Sequence, residues 1–389
     1  MLPEGWKVST VGRALSIQNE LRKPISAEIR EKNVGPYAYY GPTKAQGFIN
    51  TFEQNGRFCL IGEDGDHFLK FSTLSMTKII SGKCTVNNHA HILSNSSKCI
   101  IDWFFYYFMH RDISSHLTRQ GAGRYKLTKK ALEKLPILLP PLPEQKKIAA
   151  ILLTWDRAIE GTEKLLANSQ QQKKALMQQL LTGKNRLPGF TGEWKTKQIN
   201  EIANRIKRTS DGEKHPILMI SSSIGFVTQD AKYSRYMAGE SVSNYILLKE
   251  GEFAYNKGNS KLYQFGCVFE LREYKQGLVP NVYVCFKVNS EQHPAFYRHL
   301  FKFDFLKPQL RAIVNSGIRN NGLLNIKPDQ FMNTKVPVPP LPEQKAIAAV
   351  LTTADEEITA LESDLTRLRQ EKKALMQQLL TGKRRVTID

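Results

Sequence analysis

Cysteine is scarce in this chain. Five thiols occur among 389 residues, without close pairing. A disulfide framework is excluded, and a reducing compartment, the cytoplasm, is expected. Long apolar runs are missing as well. The greasiest stretch, Ile100 to Met109, is far too short to span a bilayer. The opening Met1-Leu2-Pro3-Glu4-Gly5-Trp6 has neither the charged start and apolar run of a signal peptide nor a lipidation signal, so no membrane partner is expected. Acidic residues are in short supply. Against 56 Lys and Arg stand 36 Asp and Glu, a net charge of +20 and a pI of about 9.6. A chain this basic is drawn to polyanions, nucleic acid first.

Catalytic motifs are also lacking. Ser81-Gly82-Lys83-Cys84 and Thr182-Gly183-Lys184-Asn185 have no upstream glycine and no hydroxyl after the lysine, so neither is a phosphate-binding loop. No Asn-Pro-Pro-Tyr-like box of an amino-methyltransferase occurs. Glu193-Trp194-Lys195 has a Glu-x-Lys nuclease spacing, but the matching Gly5-Trp6-Lys7 lacks the acid. His89 and His91 alternate near Cys84 and Cys99, yet the spacing fits no structural zinc pattern, and no metal is expected. The chain reads as non-catalytic, with no cofactor of its own.

What is present is said twice. Pro140-Pro141-Leu142-Pro143-Glu144-Gln145-Lys146 returns as Pro339-Pro340-Leu341-Pro342-Glu343-Gln344-Lys345. The offset of 199 holds without a gap from Pro140 to Arg186, with 30 of 47 positions identical. Both copies close on Leu-Leu-Thr-Gly-Lys. Trp6-Lys7 also matches Trp194-Lys195 at an offset of 188, so two modules share their ends and differ in the middle. Expected boundaries are 1–142 and 187–341 for two globular mixed α/β modules, with long helices over 143–186 and 342–389. Within the modules, β-rich runs include Arg57–Ile61, Thr85–Leu93, Tyr245–Leu248 and Asn281–Val288, and helix-like aromatic stretches span Ile101–Leu117 and Pro294–Ile313.

The long helices are the firmest structural expectation. Pro143 and Pro342 suit a first turn, Glu144 and Glu343 the positive helix end, and Gly183 and Gly382 a C′ stop. In the second copy Ile347, Leu351, Ala354, Ile358, Leu361, Leu365, Leu368, Leu375 and Leu379 recur at alternating spacings of four and three, interrupted once by Lys372. In the first copy the seam reads Ile148, Leu152, Trp155, Ile159, Leu166, Leu176 and Leu180, with Thr162, Ser169 and Lys173 weakening it. Pairing the two copies as a coiled coil within one chain buries both stripes. Trp155 and the counterpart Ala354 suggest large-against-small packing.

These boxes, helices and closing runs, with Val86-Asn87-Asn88-His89-Ala90-His91-Ile92-Leu93 and Ala254-Tyr255-Asn256-Lys257-Gly258-Asn259-Ser260, give a chain that resembles the specificity subunit of type I restriction-modification systems over its whole length. The resemblance implies two target recognition domains, each reading half of a bipartite, asymmetric double-stranded DNA site. It implies antiparallel helices, a pseudo-two-fold axis and docking of two methyltransferase subunits and of restriction-translocase subunits. S-adenosylmethionine, ATP and Mg would then belong to those partners. A helix of about 38 residues measures roughly 57 Å, which caps the half-site separation at roughly 17 base pairs.

Candidate DNA-binding residues are cations, amides and tyrosines beside glycine turns. In the first module they are Tyr40 and Lys44, then Asn87, Asn88, His89 and His91, then Arg119, Gln120, Arg124 and Lys126. In the second they are Tyr255, Asn256, Lys257, Asn259, Ser260 and Lys261, then Arg319, Asn320 and Asn321. The aromatic run Trp103 to Tyr107 reads as core. Two other classes stay open on the residues alone: an autonomous nuclease, and a basic coiled-coil scaffold without sequence preference.

Overall fold

Each Pro-Pro-Leu-Pro-Glu-Gln box opens a helix. In the computed structural model, Leu142–Leu180 and Leu341–Leu379 are helical throughout, 39 residues each. Gly183 and Gly382 adopt φ of 68° and 74° just beyond them, the left-handed stop that glycine takes without strain. The structure describes residues 2–120, 124–229, 240–258, 260–314 and 324–388. It divides into two compact units, Met1–Glu163 with Ser363–Asp389, and Lys164–Glu362. Each long helix contributes to both.

In the first unit a six-stranded sheet runs in the order Ser16–Ile17, Ala90–Ser94, Gln54–Gly62, Thr77–Val86, Val34–Tyr40, Ala45–Ile49. Only the pairing of Val34–Tyr40 with Thr77–Val86 is parallel. The helix Ile101–Phe108 buries Trp103, Phe104 and Phe108 in the core. The aromatic run is thus core, although the helix is shorter than its pattern suggested. The run expected as one strand from Thr85 to Leu93 is broken by a turn at Asn87–His89, where the Asn87 side chain accepts the His89 N–H at 2.8 Å and substitutes for a ladder bond. In the second unit the described strands form a sheet ordered Ala203–Ile206, Val284–Val288, Phe253–Asn256, Cys267–Glu270, with two-stranded ribbons beside it. Pro294–Ile313 forms two helices, Pro294–Lys302 and Lys307–Ile313, separated at Asp304, whose φ is 58°.

One joint recurs in both units. A ribbon of Lys7–Thr10 with Pro136–Leu139, or of Lys195–Gln198 with Lys335–Val338, leads into the long helix. Glu144 is fully buried and accepts Trp6 Nε1–H at 3.0 Å and two Arg385 N–H groups at 2.7 and 2.9 Å. Glu343 does the same with Trp194 at 2.9 Å and Arg186 at 2.5 and 2.6 Å. Gln145 donates to Pro140 O and accepts the Ile100 N–H; Gln344 donates to Pro339 O and accepts the His293 N–H. These bonds explain the repeated box. They also align Ile100 with His293, an offset of 193. Trp103 and Phe296 agree with it, each meeting its unit's Trp6 or Trp194 edge-on.

The helix seams run antiparallel within each unit. Lys372 donates to Asp156 in the first, where Arg369 also meets Glu163 at 2.6 Å. Lys173 donates to Asp355 in the second, where Ser169 meets Glu357 at 2.9 Å. The interruption read at Lys173 and Lys372 is therefore a pair of equivalent ion pairs. Ile148, Leu152, Leu180, Ile347, Leu351, Leu365 and Leu379 are buried; Trp155, Ile159, Leu166, Leu176, Ala354, Ile358, Leu361, Leu368 and Leu375 are half-buried. The expected match of Trp155 to Ala354 is corrected. Trp155 precedes Asp156, which meets Lys372, whereas Ala354 precedes Asp355, which meets Lys173 in the other unit. Antiparallel direction sets each residue against the far end of the other helix.

At the aligned positions 106 and 299 the units diverge. Tyr106 donates its hydroxyl to Asp156 at 2.7 Å. His299 is fully buried, with Nε2 at 3.1 Å from Thr352 and Nδ1 at 3.7 Å from Asp355. Burial, then Arg298, pushes the imidazole down to about 3 from 6.5, with Lys173 and Lys302 opposing the proton and Asp355 favouring it. The unfolded chain therefore takes up a proton that the folded one refuses. The stability this neutral ring contributes is present above pH 6.5 and falls away as pH drops toward 3. His299→Tyr, copying the first unit, is expected to reduce the fall in melting temperature between pH 7 and pH 5. Lys173→Asp is expected to cost about 3 kcal/mol by facing Asp355 with a second acid, and adding Asp355→Lys to restore only part of it, because Lys302, 3.2 Å from Asp355, would then face a like charge, both read by denaturant unfolding.

Candidate nucleic-acid interface

Several candidates far apart in sequence meet at one end of the first unit's sheet. The hairpin turn Gly41–Lys44 closes through Gly41 N–H to Lys44 O at 2.9 Å, and Lys44 is exposed. Tyr40, at the end of its strand, is half-buried with Lys78 over its ring and accepts the Asn87 N–H on its backbone carbonyl. Burial raises the Tyr40 phenol above its ordinary value. Next to it lies the turn Asn87–His89, in which Asn88 and His89 are exposed. The Asn87 amide donates to Gln46 at 3.2 Å, joining the two turns. Glu63 N–H donates to His89 O, and Leu127 N–H to Glu63 O, which brings the segment around Lys126 to the same end.

Much of the positive charge here is already engaged. Arg22 meets Glu63 at 2.5 Å and donates to Asn88 O at 3.1 Å. Lys126 lies 3.3 Å from Glu63 and 3.7 Å from Asp64, and His89 Nδ1 is 2.8 Å from Asp64. These pairs order the turns and lower the net positive field around them. Arg119 donates to the Tyr125 hydroxyl at 2.7 Å and lies over its ring. Arg119, Gln120, Arg124 and Lys126 belong to a ribbon, Thr118–Gln120 against Arg124–Lys126. The side chains of Gln120 and Arg124 lie outside the described residues.

Three candidates are corrected by burial. His91 is fully buried, with Nε2 on Leu127 O at 2.7 Å and Nδ1 on the Asn19 amide at 2.8 Å. Asn87 is 4% exposed and spends its side chain on Gln46 and the His89 N–H. Tyr255 is fully buried, stacked on Phe331 at 4.2 Å, with its hydroxyl on Phe265 O. Such groups hold shape and do not reach a base edge. Around Tyr255 the second unit builds a compact turn. Asn256 accepts the Gly258 N–H, Ser260 exchanges bonds with Tyr263, and Lys257 donates to Ile326 O at 3.4 Å while its carbonyl accepts the Leu324 N–H. Lys261 is exposed beside them. Asn259, Arg319, Asn320 and Asn321 lie outside the described residues.

The sequence reading missed Arg22, whose isolated position gave no signal, and the cations Lys78 and Lys83, which lie over Tyr40 and over Tyr37 and Phe52. Cys84 and Cys99 are buried, and burial alone pushes their thiols up to about 11 and about 12. Among the described residues, Asp211, Glu213 and His215 come within 4.8 Å of one another. The His215 ring is already bonded there to Asp211 and Gln276.

Two units with the same joint and different sheets are the architecture of a protein that presents two unlike surfaces on one repeated frame. The family described as type I restriction modification DNA specificity domain matches residues 3–168 and 191–368. The chain belongs to that family. As a specificity subunit it supplies DNA sequence recognition to a restriction-modification complex and is not itself catalytic. It is similar to a putative type I restriction enzyme specificity subunit of Haemophilus influenzae, 31% identical over 38% of this chain and 36% of that one. The MjaVIII specificity subunit of Methanocaldococcus jannaschii is 24% identical over 99% of this chain and 94% of its own length. In fold it resembles the S subunit crystal structure from M. genitalium, with a TM-score of 0.63 at 14% identity over 96% of both chains. No helix among the described residues is long and apolar enough to cross a membrane.

The split between core and surface candidates is measurable without DNA. Tyr255→Ala is expected to destabilise this specificity subunit by about 3–5 kcal/mol. Lys44→Ala and Lys261→Ala are expected to stay within about 0.5 kcal/mol of the parent, all by thermal or denaturant unfolding.

Proposed function

We propose that each unit reads one half of a bipartite, asymmetric DNA site, and that the helices shared between them govern how many unread base pairs separate the halves. The observation that carries this reading is the contrast between the units. The Glu–Trp–Arg joint and the Lys–Asp seam recur residue for residue, while among the described residues the sheets between the anchors differ in strand number and order. A repeated frame suits a task done twice, and unlike sheets suit unlike half-sites. In the first unit Lys44, Asn88, His89 and Arg119 are the residues proposed to touch DNA; in the second, Asn256, Lys257, Ser260 and Lys261. Gln120, Arg124, Asn259, Arg319, Asn320 and Asn321 remain proposed on sequence alone. The exposed lysines anchor phosphates, and the amides read base edges.

The partners follow from the same symmetry. Two methyltransferase subunits would dock on the repeated helices, and restriction-translocase subunits would complete the assembly. S-adenosylmethionine, ATP and Mg would be bound by those partners in the cytoplasm.

Methylome sequencing of the host with and without this gene is expected to reveal one interrupted motif. Inserting seven residues within 165–172, and seven within the facing 357–364, is expected to widen the gap by about three base pairs and to leave both half-sites unchanged. Altered half-sites, or one uninterrupted motif, would overturn the reading. Lys261→Ala is expected to weaken binding to all sequences alike and to lower the salt slope by about 1.

A further inference from the structure

A cavity of the first unit lies away from the turns discussed above, where the end of Ile101–Phe108 and the segment 71–73 meet the last turns of the second long helix. It is an open groove of about 730 Å³. Phe71, Ile159, Met376 and Leu380 supply apolar lining. Cations occupy the same groove. Arg111 lies over the Tyr107 ring, 3.8 Å from its centroid, held by its Nε–H to Tyr107 O, and Lys373 is exposed. His110 also lines the groove, and Arg369 does so while meeting Glu163 at 2.6 Å. The one carboxylate in the lining, Asp156, is already matched by Lys372 and the Tyr106 hydroxyl.

We propose that this groove docks an acidic peptide segment with an apolar anchor, from a protein partner bound once per chain. Charge complementarity calls for acid on the ligand, and the apolar lining calls for a side chain that leaves water on docking. A phosphodiester backbone would satisfy the cations and leave that lining wet. The stoichiometry comes from the repeat. At the offset of 193, His110 aligns with Phe303 and Arg111 with Asp304; at 199, Arg369 aligns with Gln170. Only Lys372 and Lys373 recur, as Lys173 and Lys174. The second unit therefore carries an acid where the first has the stacked arginine. A partner that docks here recognises one unit and not the other, unlike a subunit that docks on the repeated helices.

The test uses the full chain and a fluorescein-labelled synthetic peptide, Asp-Glu-Leu-Phe-Glu-Asp-Leu-Asp, followed by anisotropy. The peptide is expected to bind, and more weakly as salt is raised. Replacing its Leu and Phe by Ser, or reversing its charges with Lys, is expected to weaken binding at least about tenfold. Lys373→Glu, alone and with Arg111→Glu, is expected to do the same, while Lys174→Glu, an equal change of net charge at the aligned position, leaves it unaltered. The proposal is overturned by absence of binding up to roughly 1 mM, by equal loss in Lys373→Glu and Lys174→Glu, or by indifference to the apolar anchor. Displacement of the peptide by a short DNA duplex, in a manner sensitive to Lys373→Glu, would assign the groove to nucleic acid and overturn it too. Failure of the half-site reading would show in the methylome and leave this result untouched.

Discussion

A carboxylate with no access to water anchors each half of this protein. Glu144 and Glu343 sit at the first turn of the long helices, where the helix N-terminus already favours negative charge. Burial of such a group is costly unless its lone pairs are filled, and here a tryptophan N–H and a forked arginine fill them. The consequence is topological. Arg385 and Trp6 come from opposite ends of the chain, and both must arrive for Glu144 to be tolerated. Arg186 and Trp194 do the same for Glu343. The joint thus couples the entry strand of a unit, the start of one long helix and the exit of the other into one cooperative feature.

The seam extends that logic. An all-apolar stripe would pair in many registers and in either direction. Asp156 with Lys372, and Asp355 with Lys173, are satisfied by one antiparallel register in each unit, the use of partly buried charge for specificity that coiled coils exploit. The frame can therefore carry sheets of different order and different surface chemistry without losing its own geometry. Divergence is visible even beside the frame, where Tyr106 in one unit is His299 in the other, and Arg111 becomes Asp304.

The candidate DNA surface was only partly legible. Lys44, Asn88 and Lys261 were found from composition around glycine turns and are exposed. Asn87, His91 and Tyr255 came from the same reasoning and turned out to be interior, because a polar residue in a turn box serves equally to close the turn or to reach outward. Arg22 was invisible, since its role depends on Glu63 and Asn88, which lie far along the chain.

The amino-acid sequence by itself determined the duplication, the two 39-residue helices with their stops, the basic charge and the family. All of these are one-dimensional signals: a period, a terminal residue, a sum. Tertiary structure alone decided that the box glutamates are clamped by tryptophan and arginine, that the lysines interrupting the seam are paired, that Trp155 does not face Ala354, and which amides are spent inside. Burial and pairing depend on segments up to 381 positions apart converging at one point, and no local pattern encodes that convergence.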